Sequence, residues 1–230
     1  HSEHTQPGDS HTGEVTKHAP NDGISPLGRE VLSEMNRLGV IVDLSHLSKA
    51  AAMQAMAMSK APVIASHSAV RALVDHNRNL DDEQLLALKK NGGVVQVVAY
   101  AGYLKAGART GRTPIRNAVA SGSLAPCPIE SPATKPLSVE GRPGVKELVD
   151  HIDYAVKLIG VDHVGISSDF DGGGGIEGWD SAADTANVTI ELVRRGYSEE
   201  EVAKLWGGNL LRVWRDVERV ATERAAQPAR

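Results

Sequence analysis

Four side chains of the sequence could carry chemistry, and two of them are histidines that each follow a short apolar run. His46 comes directly after residues 40–45, and His67 comes directly after residues 62–66, with a helical stretch between the two runs. Functional side chains of parallel α/β folds gather at the carboxyl ends of the strands, so we expect the two imidazoles to lie close together. An isolated histidine at a strand end is more often structural, but two in equivalent positions favour a metal site. Neutral imidazole is a good zinc ligand, and a catalytic zinc needs about three protein ligands.

Asp169 and Arg78 have comparable placements. Asp169 follows the apolar run of residues 163–168, where it could take a proton from an activated water and return it to a leaving group. Asp171 is the nearby competitor, and both acids could instead cap the following turn. Arg78 follows the second run and can hold a carboxylate by a two-point contact, although its spacing equally fits a solvated loop arginine.

Local signals predict the elements that would position these residues. Helices are predicted from capping residues and apolar periodicity at residues 26–38, 48–60, 81–91, 145–159, 182–195 and 209–225, and a capping box of Ser198 and Glu201 predicts a further short helix. Strands are predicted at residues 40–45, 62–66, 93–98 and 163–168. Four strand candidates, each followed by helical material, indicate an α/β fold with about four parallel strands.

Length and composition favour one domain. The 230 residues are 41% apolar, enough for one sizeable core. Residues 1–23 are polar and have no hydrophobic period, which predicts a loop. Residues 105–143 hold six of the eleven prolines and interrupt the rhythm of strands and helices, which is typical of an inserted lid, interaction surface or mobile segment.

Charge and cysteine content exclude several functions. A net charge of -4 gives no basic field for nucleic acid, and the apolar runs are shorter than the roughly 18 residues of a membrane span. We therefore expect a small-molecule substrate. The sequence does not give the compartment, and a bacterial-type periplasm and the cytoplasm both stay open. The single cysteine, Cys127, excludes an internal disulfide. Residues 173–178 fit the G-x-G-x-x-G pattern, but the two carboxylates before them would repel a dinucleotide pyrophosphate.

The chain resembles the renal-type or membrane dipeptidases, the M19 metallopeptidases of the amidohydrolase superfamily. The resemblance rests on GISPLGRE (23–30), MNRLGVIVDLSH (35–46), APVIASHS (61–68), HNRN (76–79), GISSDFDG (165–172) and NLLRV (209–213). These segments are spread over most of the sequence in the order of the family. Residues 105–143 and the two ends lie outside the resemblance.

The resemblance implies a (β/α)8 TIM-type barrel that hydrolyses dipeptides, often with a C-terminal D-residue, at a two-metal centre that usually holds zinc. Matched position by position, it makes His46 and His67 ligands of one metal and Asp169 the proton shuttle that also contacts the substrate amino group. Arg78 would bind the substrate carboxylate. His1 matches a substrate-binding histidine that precedes Ser in the family.

The resemblance covers only the second half of the family's barrel. The His-x-Asp motif of its first strand and the glutamate that bridges the two metals are absent from the sequence. We therefore expect the C-terminal half of a barrel, nearly inactive alone, whose partner is a missing N-terminal half or upstream segment. A homodimer is kept open. Two other hypotheses also stay open: another amidohydrolase-type metal hydrolase, such as a lactonase or deaminase, and a non-catalytic binding protein on the same fold.

Overall fold

The first helix, α1 (Pro26–Leu38), begins and ends at the residues that the sequence predicts. Ser25 caps it by accepting a hydrogen bond from the Gly28 N–H, and Gly39 ends it in the left-handed conformation with φ 73°. Glycine adopts this conformation without steric cost, which is why it commonly follows the last turn of a helix. The structure is a computed structural model that describes residues 6–12, 19–108 and 141–226.

The other predicted helices are also present, some with ends moved by one to three residues. They are α2 (Lys49–Met58), α3 (Asp82–Asn91), α5 (Val145–Ile159), α6 (Thr185–Arg194), α7 (Glu199–Ala203) and α8 (Asn209–Ala225). A further short helix, α4 (Ala101–Leu104), is not predicted from the sequence. The helix predicted at residues 182–195 opens with the 3-10 turn Ala182–Asp184 and becomes α-helical only at Thr185. Ser48, Asp81 and Ser198 cap their helices as the sequence indicates.

Three parallel strands form the sheet, in the order of the chain. They are β1 (Ile64–Ser68), β2 (Val94–Val98) and β3 (Val164–Ser167). Ile64 pairs with Val94, and Val95 pairs with Val164. One buried apolar cluster joins the helices to the strand residues that face them. The mixed α/β architecture with a parallel sheet is therefore confirmed.

The strand predicted at residues 40–45 is wrong. Within the described residues this segment makes one isolated parallel bridge, between Asp43 and Ile64, held by the Leu44 N–H to Ile64 carbonyl and Ile64 N–H to Val42 carbonyl bonds. The next donor, the Ser66 N–H, binds the Asp43 carboxylate instead of extending the ladder. The described sheet therefore has three strands rather than four. The segment nevertheless runs beside β1 and places His46 next to His67.

Helix α8 packs across the amino ends of the strands. Val213, Val217 and Val220 form a second buried cluster with Ala61 and Val94. At the start of the helix the Asn209 side-chain amide donates to the carbonyls of Val161 and Val164, next to the first residues of β3. This end of the sheet is consequently filled with apolar side chains.

Four of the described helices carry large apolar side chains that face solvent. These are Leu27, Val31 and Leu38 of α1, Leu86 of α3, Ile190 and Val193 of α6, and Leu211 and Trp214 of α8. The fully buried large apolar residue of α1 is Leu32. Among the described helices none combines the length and the apolarity that crossing a bilayer requires.

His151 of α5 is a structural histidine. It is 2% exposed, and its Nδ1 accepts a hydrogen bond of 3.1 Å from the Val70 N–H, just beyond β1. Burial lowers the pKa of His151 to about 4. The neutral ring therefore joins α5 to the loop that follows the strand of His67.

This buried histidine should make the fold sensitive to acid. Unfolded histidine titrates near pH 6.5, so between pH 6.5 and about 4 the unfolded chain binds more protons at this residue than the folded chain. The stability that neutral His151 provides is complete above pH 6.5 and is lost as the pH falls, by up to about 3 kcal/mol. We expect His151→Gln, which keeps an acceptor, to flatten this dependence in urea unfolding measured from pH 7 to pH 4.5. Equal slopes for both proteins would contradict the prediction.

Candidate active site

The imidazoles of His46 and His67 converge, as the sequence predicts. Their Nε2 atoms are 2.9 Å apart, and their ring centroids are separated by 4.9 Å. The pairing of β1 with β2 changes register between Ala65 and Ser68, an irregularity that redirects side chains and is common beside active sites. The two rings therefore meet at the carboxyl end of the sheet.

Both rings are neutral at physiological pH. Burial, followed by the charge of Arg78 and the neighbouring His67, lowers the pKa of His46 to about 3. Burial and then Arg78 also lower the pKa of His67, against the opposing effect of Asp169. Neutral imidazole is the form that coordinates a metal ion.

The pair of histidines fits part of a metal site. Two nitrogen ligands of a tetrahedral zinc ion are about 3.3 Å apart, close to the Nε2 separation of 2.9 Å. Among the residues that the structure describes, no group of three or more His, Cys, Asp or Glu side chains could hold a metal. The described chain therefore offers two ligands, fewer than the three of a typical catalytic site.

Zinc binding should depend on both imidazoles. We expect either His46→Ala or His67→Ala to weaken the binding of zinc by about tenfold or more, equivalent to about 1.4 kcal/mol, because one of two ligands is lost. Competition against a chromophoric chelator measures this affinity. The matched control is His163→Ala, because His163 binds the Gly93 carbonyl at the opposite end of the sheet. Equal losses in all three variants would place zinc elsewhere.

Two residues of the site have an unusual backbone. His46 has φ 76° and Asp169 has φ 52°, a region that residues other than glycine rarely adopt. Behind Asp169 the chain folds tightly, since a Cβ atom on Gly174 would lie 1.9 Å from the Ser168 carbonyl oxygen. Such conformations are retained where the surrounding structure needs a side chain in one direction.

Asp169 lies close enough to His67 and Arg78 for their charges to act on it. Burial raises the pKa of Asp169, and the two neighbours oppose that rise. Asp171 follows in the 3-10 turn Phe170–Gly172 and is exposed. Of the two carboxylates, Asp169 is the one beside the histidines.

Arg78 is a buried cation with free hydrogen-bonding capacity. It is 4% exposed, donates to the His67 carbonyl over 3.3 Å, and lies over the Tyr103 ring at 5.5 Å from its centroid. Its Nε has no hydrogen-bond partner, and in the described part of the chain no carboxylate forms an ion pair with it. A buried guanidinium in this state is suited to an incoming carboxylate.

Several neighbours of the site were not found from the sequence. The His11 ring packs edge-on against His46 at 5.4 Å, the His76 Nδ1 accepts from the Arg78 N–H, and Tyr103 stacks on His76. No pattern indicates His11 or Tyr103, because their partners are distant in sequence. His1 and Cys127 lie outside the described residues, as do residues 1–5, 13–18 and 109–140.

A family model supplies the deciding comparison. The model described as membrane dipeptidase (peptidase family M19) matches residues 1–228. The chain belongs to this family. The M19 resemblance of the six sequence segments is thereby confirmed, and the histidine pair, Asp169 and Arg78 become the candidate site of an M19 chain.

Similar M19 proteins are known from sequence and from structure. A dipeptidase of Claviceps purpurea, tcpJ, is 38% identical over 214 residues, which are 93% of this chain and 42% of that protein. The probable dipeptidase PvdM from Pseudomonas aeruginosa has a TM-score of 0.73 and 43% identity, covering 88% of this chain and 56% of that one. A metallopeptidase from Rhodobacter sphaeroides, solved with a phosphinate mimic of the dipeptide L-Ala-D-Ala, has a TM-score of 0.69 and 25% identity, covering 85% and 48%. The chain thus spans less than half the length of the curated relative from Claviceps.

Proposed function

We propose that this chain forms part of a metal-dependent dipeptidase. The observation that supports the proposal is the convergence of His46 and His67 beside a buried, unpaired Arg78 at one end of a parallel sheet. These groups offer nitrogen ligands for a metal and a cation for a free carboxylate. Together they match what the hydrolysis of a short peptide with a free C-terminus requires.

His46 and His67 would hold one ion of a zinc pair. Zinc bound there would supply an activated water and polarise the scissile carbonyl. Asp169, whose raised pKa makes it a better base than an exposed aspartate, would take the proton and pass it to the leaving amine. It would also contact the substrate amino group.

Arg78 would bind the C-terminal carboxylate of the dipeptide through two parallel N–H donors. The phosphinate bound to the Rhodobacter metallopeptidase mimics L-Ala-D-Ala, so we propose a dipeptide with a C-terminal D-residue as the first substrate to test. His1 is proposed as a further substrate-binding residue.

The remaining metal ligands would come from a second half-barrel, supplied by an upstream segment or another chain. Three observations support this proposal. The described residues bring together only two candidate metal ligands, His46 and His67. In the described chain the segment of residues 40–45 pairs with β1 alone. Apolar side chains of α1 and α8 are also exposed. The fold would then be the C-terminal half of a (β/α)8 barrel, with residues 1–230 forming one domain. A homodimer and a periplasmic or cytoplasmic location stay predictions.

Complementation tests the proposal. The chain would be co-expressed with the portion of the Pseudomonas protein that it does not cover, and the pair is called here the complemented protein. We expect zinc-dependent hydrolysis of L-Ala-D-Ala by the complemented protein and almost none by the chain alone. Hydrolysis by the isolated chain with stoichiometric zinc would contradict the proposal that the chain is one half of a barrel.

The same preparation separates the other hypotheses. Hydrolysis of lactones or deamination of nucleosides without dipeptide hydrolysis would identify another amidohydrolase. A co-purifying pair without bound metal, in which His46→Ala changes only stability, would identify a binding protein.

A further inference from the structure

Asp43 holds three hydrogen-bond donors beneath the histidine pair. Its Oδ1 accepts from the N–H groups of Ser45 and Ser66, both at 3.0 Å. Its Oδ2 accepts from the Ser66 hydroxyl at 2.5 Å. All three groups donate to Asp43, and a carboxylate oxygen that carries no proton can only accept.

The acceptor character of Asp43 fixes the direction of the next hydrogen bond. Ser66 has one hydroxyl proton, and Asp43 receives it. The Ser66 Oγ can therefore only accept from its other neighbour, the His67 Nδ1 at 2.7 Å. His67 must then carry its proton on Nδ1, which leaves a lone pair on Nε2.

The contact between the two histidines agrees with this assignment. The Nε2 atoms of His46 and His67 are 2.9 Å apart, which is a hydrogen-bond distance. While no metal is bound, the His46 Nε2–H donates to the His67 Nε2, and a metal that binds both nitrogens would displace that proton. The lone pair of His67 therefore points at the position where the two rings meet.

We propose that Asp43 is a positioning residue that acts through Ser66 to hold His67 in the tautomer whose Nε2 can bind a metal. This inference rests on the proposed function for the presence of a metal at His67. The hydrogen bonds from which the tautomer follows do not depend on it. Ligating histidines commonly have such an oriented outer partner, which fixes the tautomer and increases the basicity of the ligand. Here the partner is a carboxylate that reaches the ring through a serine hydroxyl.

The competing interpretation is that Asp43 only fastens the segment of residues 40–45 to β1. Asp43→Asn distinguishes the two roles. The Asn Oδ1 can still accept both backbone N–H groups, while its NH2 group faces the Ser66 Oγ and donates to it. The Ser66 hydroxyl then turns to the His67 Nδ1, and His67 is driven to the Nε2–H tautomer, which has no lone pair for a metal.

Nitrogen NMR of the ¹⁵N-histidine-labelled full chain, without metal at pH 7.5, reads the tautomer directly, with His67→Gln to assign the resonance. We expect a protonated Nδ1 in the wild type and in Ser66→Thr, which keeps the hydroxyl. Asp43→Asn should protonate Nε2, and Ser66→Ala should give a mixture of tautomers. Asp162→Asn is the charge-matched control, because Asp162 is 60% exposed and pairs with Lys204.

Zinc affinity is the second readout, measured by chelator competition on the same proteins. Asp43→Asn should weaken zinc binding by about 10–100-fold, while Ser66→Thr and Asp162→Asn keep the wild-type value. A wild-type His67 protonated on Nε2, or an Asp43→Asn protein with unchanged tautomer and zinc affinity, would overturn the inference. If the tautomers behave as expected but the complemented protein hydrolyses no dipeptide, the proposed function fails and the positioning role of Asp43 stands.

Discussion

Asp169→Asn is expected to lower kcat of the complemented protein by about 10²–10⁴-fold, the usual contribution of a positioned acid or base. Asparagine tolerates the left-handed backbone that Asp169 adopts at φ 52°, so the turn should be preserved. The substitution removes the carboxylate that lies beside His67 and Arg78. Dipeptide hydrolysis followed as a function of substrate concentration and pH measures the effect.

Asp171→Asn is the matched control for this experiment. The residue lies two positions further on, carries the same charge and is exposed in the 3-10 turn. We expect its kcat to stay within about twofold of the wild type, as for most surface substitutions. A large loss for Asp171→Asn together with a small loss for Asp169→Asn would exchange the roles of the two carboxylates.

Arg78→Met should raise KM for dipeptides and lower kcat/KM by about 150-fold or more. The reason is the loss of charge-assisted hydrogen bonds to the substrate carboxylate, together worth about 3 kcal/mol or more. Methionine fills much of the same volume beside Tyr103, and removing a buried cation without a counterion should cost little stability. Steady-state kinetics of L-Ala-D-Ala hydrolysis provide the measurement.

The dipeptide amide is the control substrate for Arg78. It lacks the C-terminal carboxylate, so the wild-type enzyme should discriminate strongly against it. In Arg78→Met the two substrates should have similar kcat/KM values. If the variant loses as much activity on the amide as on the acid, Arg78 serves the structure of the site and does not bind the carboxylate.

Features that depend on neighbouring residues could be predicted from the sequence. The ends of α1 follow from the caps at Ser25 and Gly39, which act within one turn of the helix. The meeting of His46 and His67 follows from the parallel topology, since His46 follows a strand-like segment and His67 lies near the carboxyl end of β1, at the same edge of the sheet. The candidate metal ligands could therefore be predicted from the local sequence pattern and the general topology of parallel sheets.

Features that depend on contacts between distant residues could not be predicted. The apolar run of residues 40–45 resembles a strand, but the Asp43 side chain competes for the Ser66 N–H that would continue the ladder. His11 lies in a polar segment without periodicity, and contacts that include the bond from the His11 N–H to the His46 carbonyl bring it to His46. Whether a segment joins a sheet or a loop residue reaches the site depends on which hydrogen-bond donors and acceptors meet in the folded protein.

The left-handed backbone at His46 and Asp169 has a consequence for selection in the laboratory. Each such residue costs about 1–3 kcal/mol, so exchanging it for glycine would relieve strain at the positions on which the proposed chemistry depends. A library of this chain sorted for thermal resistance alone should therefore enrich glycine at these two positions and lose the site. Directed evolution of the protein consequently needs a screen for metal binding or turnover alongside the screen for heat.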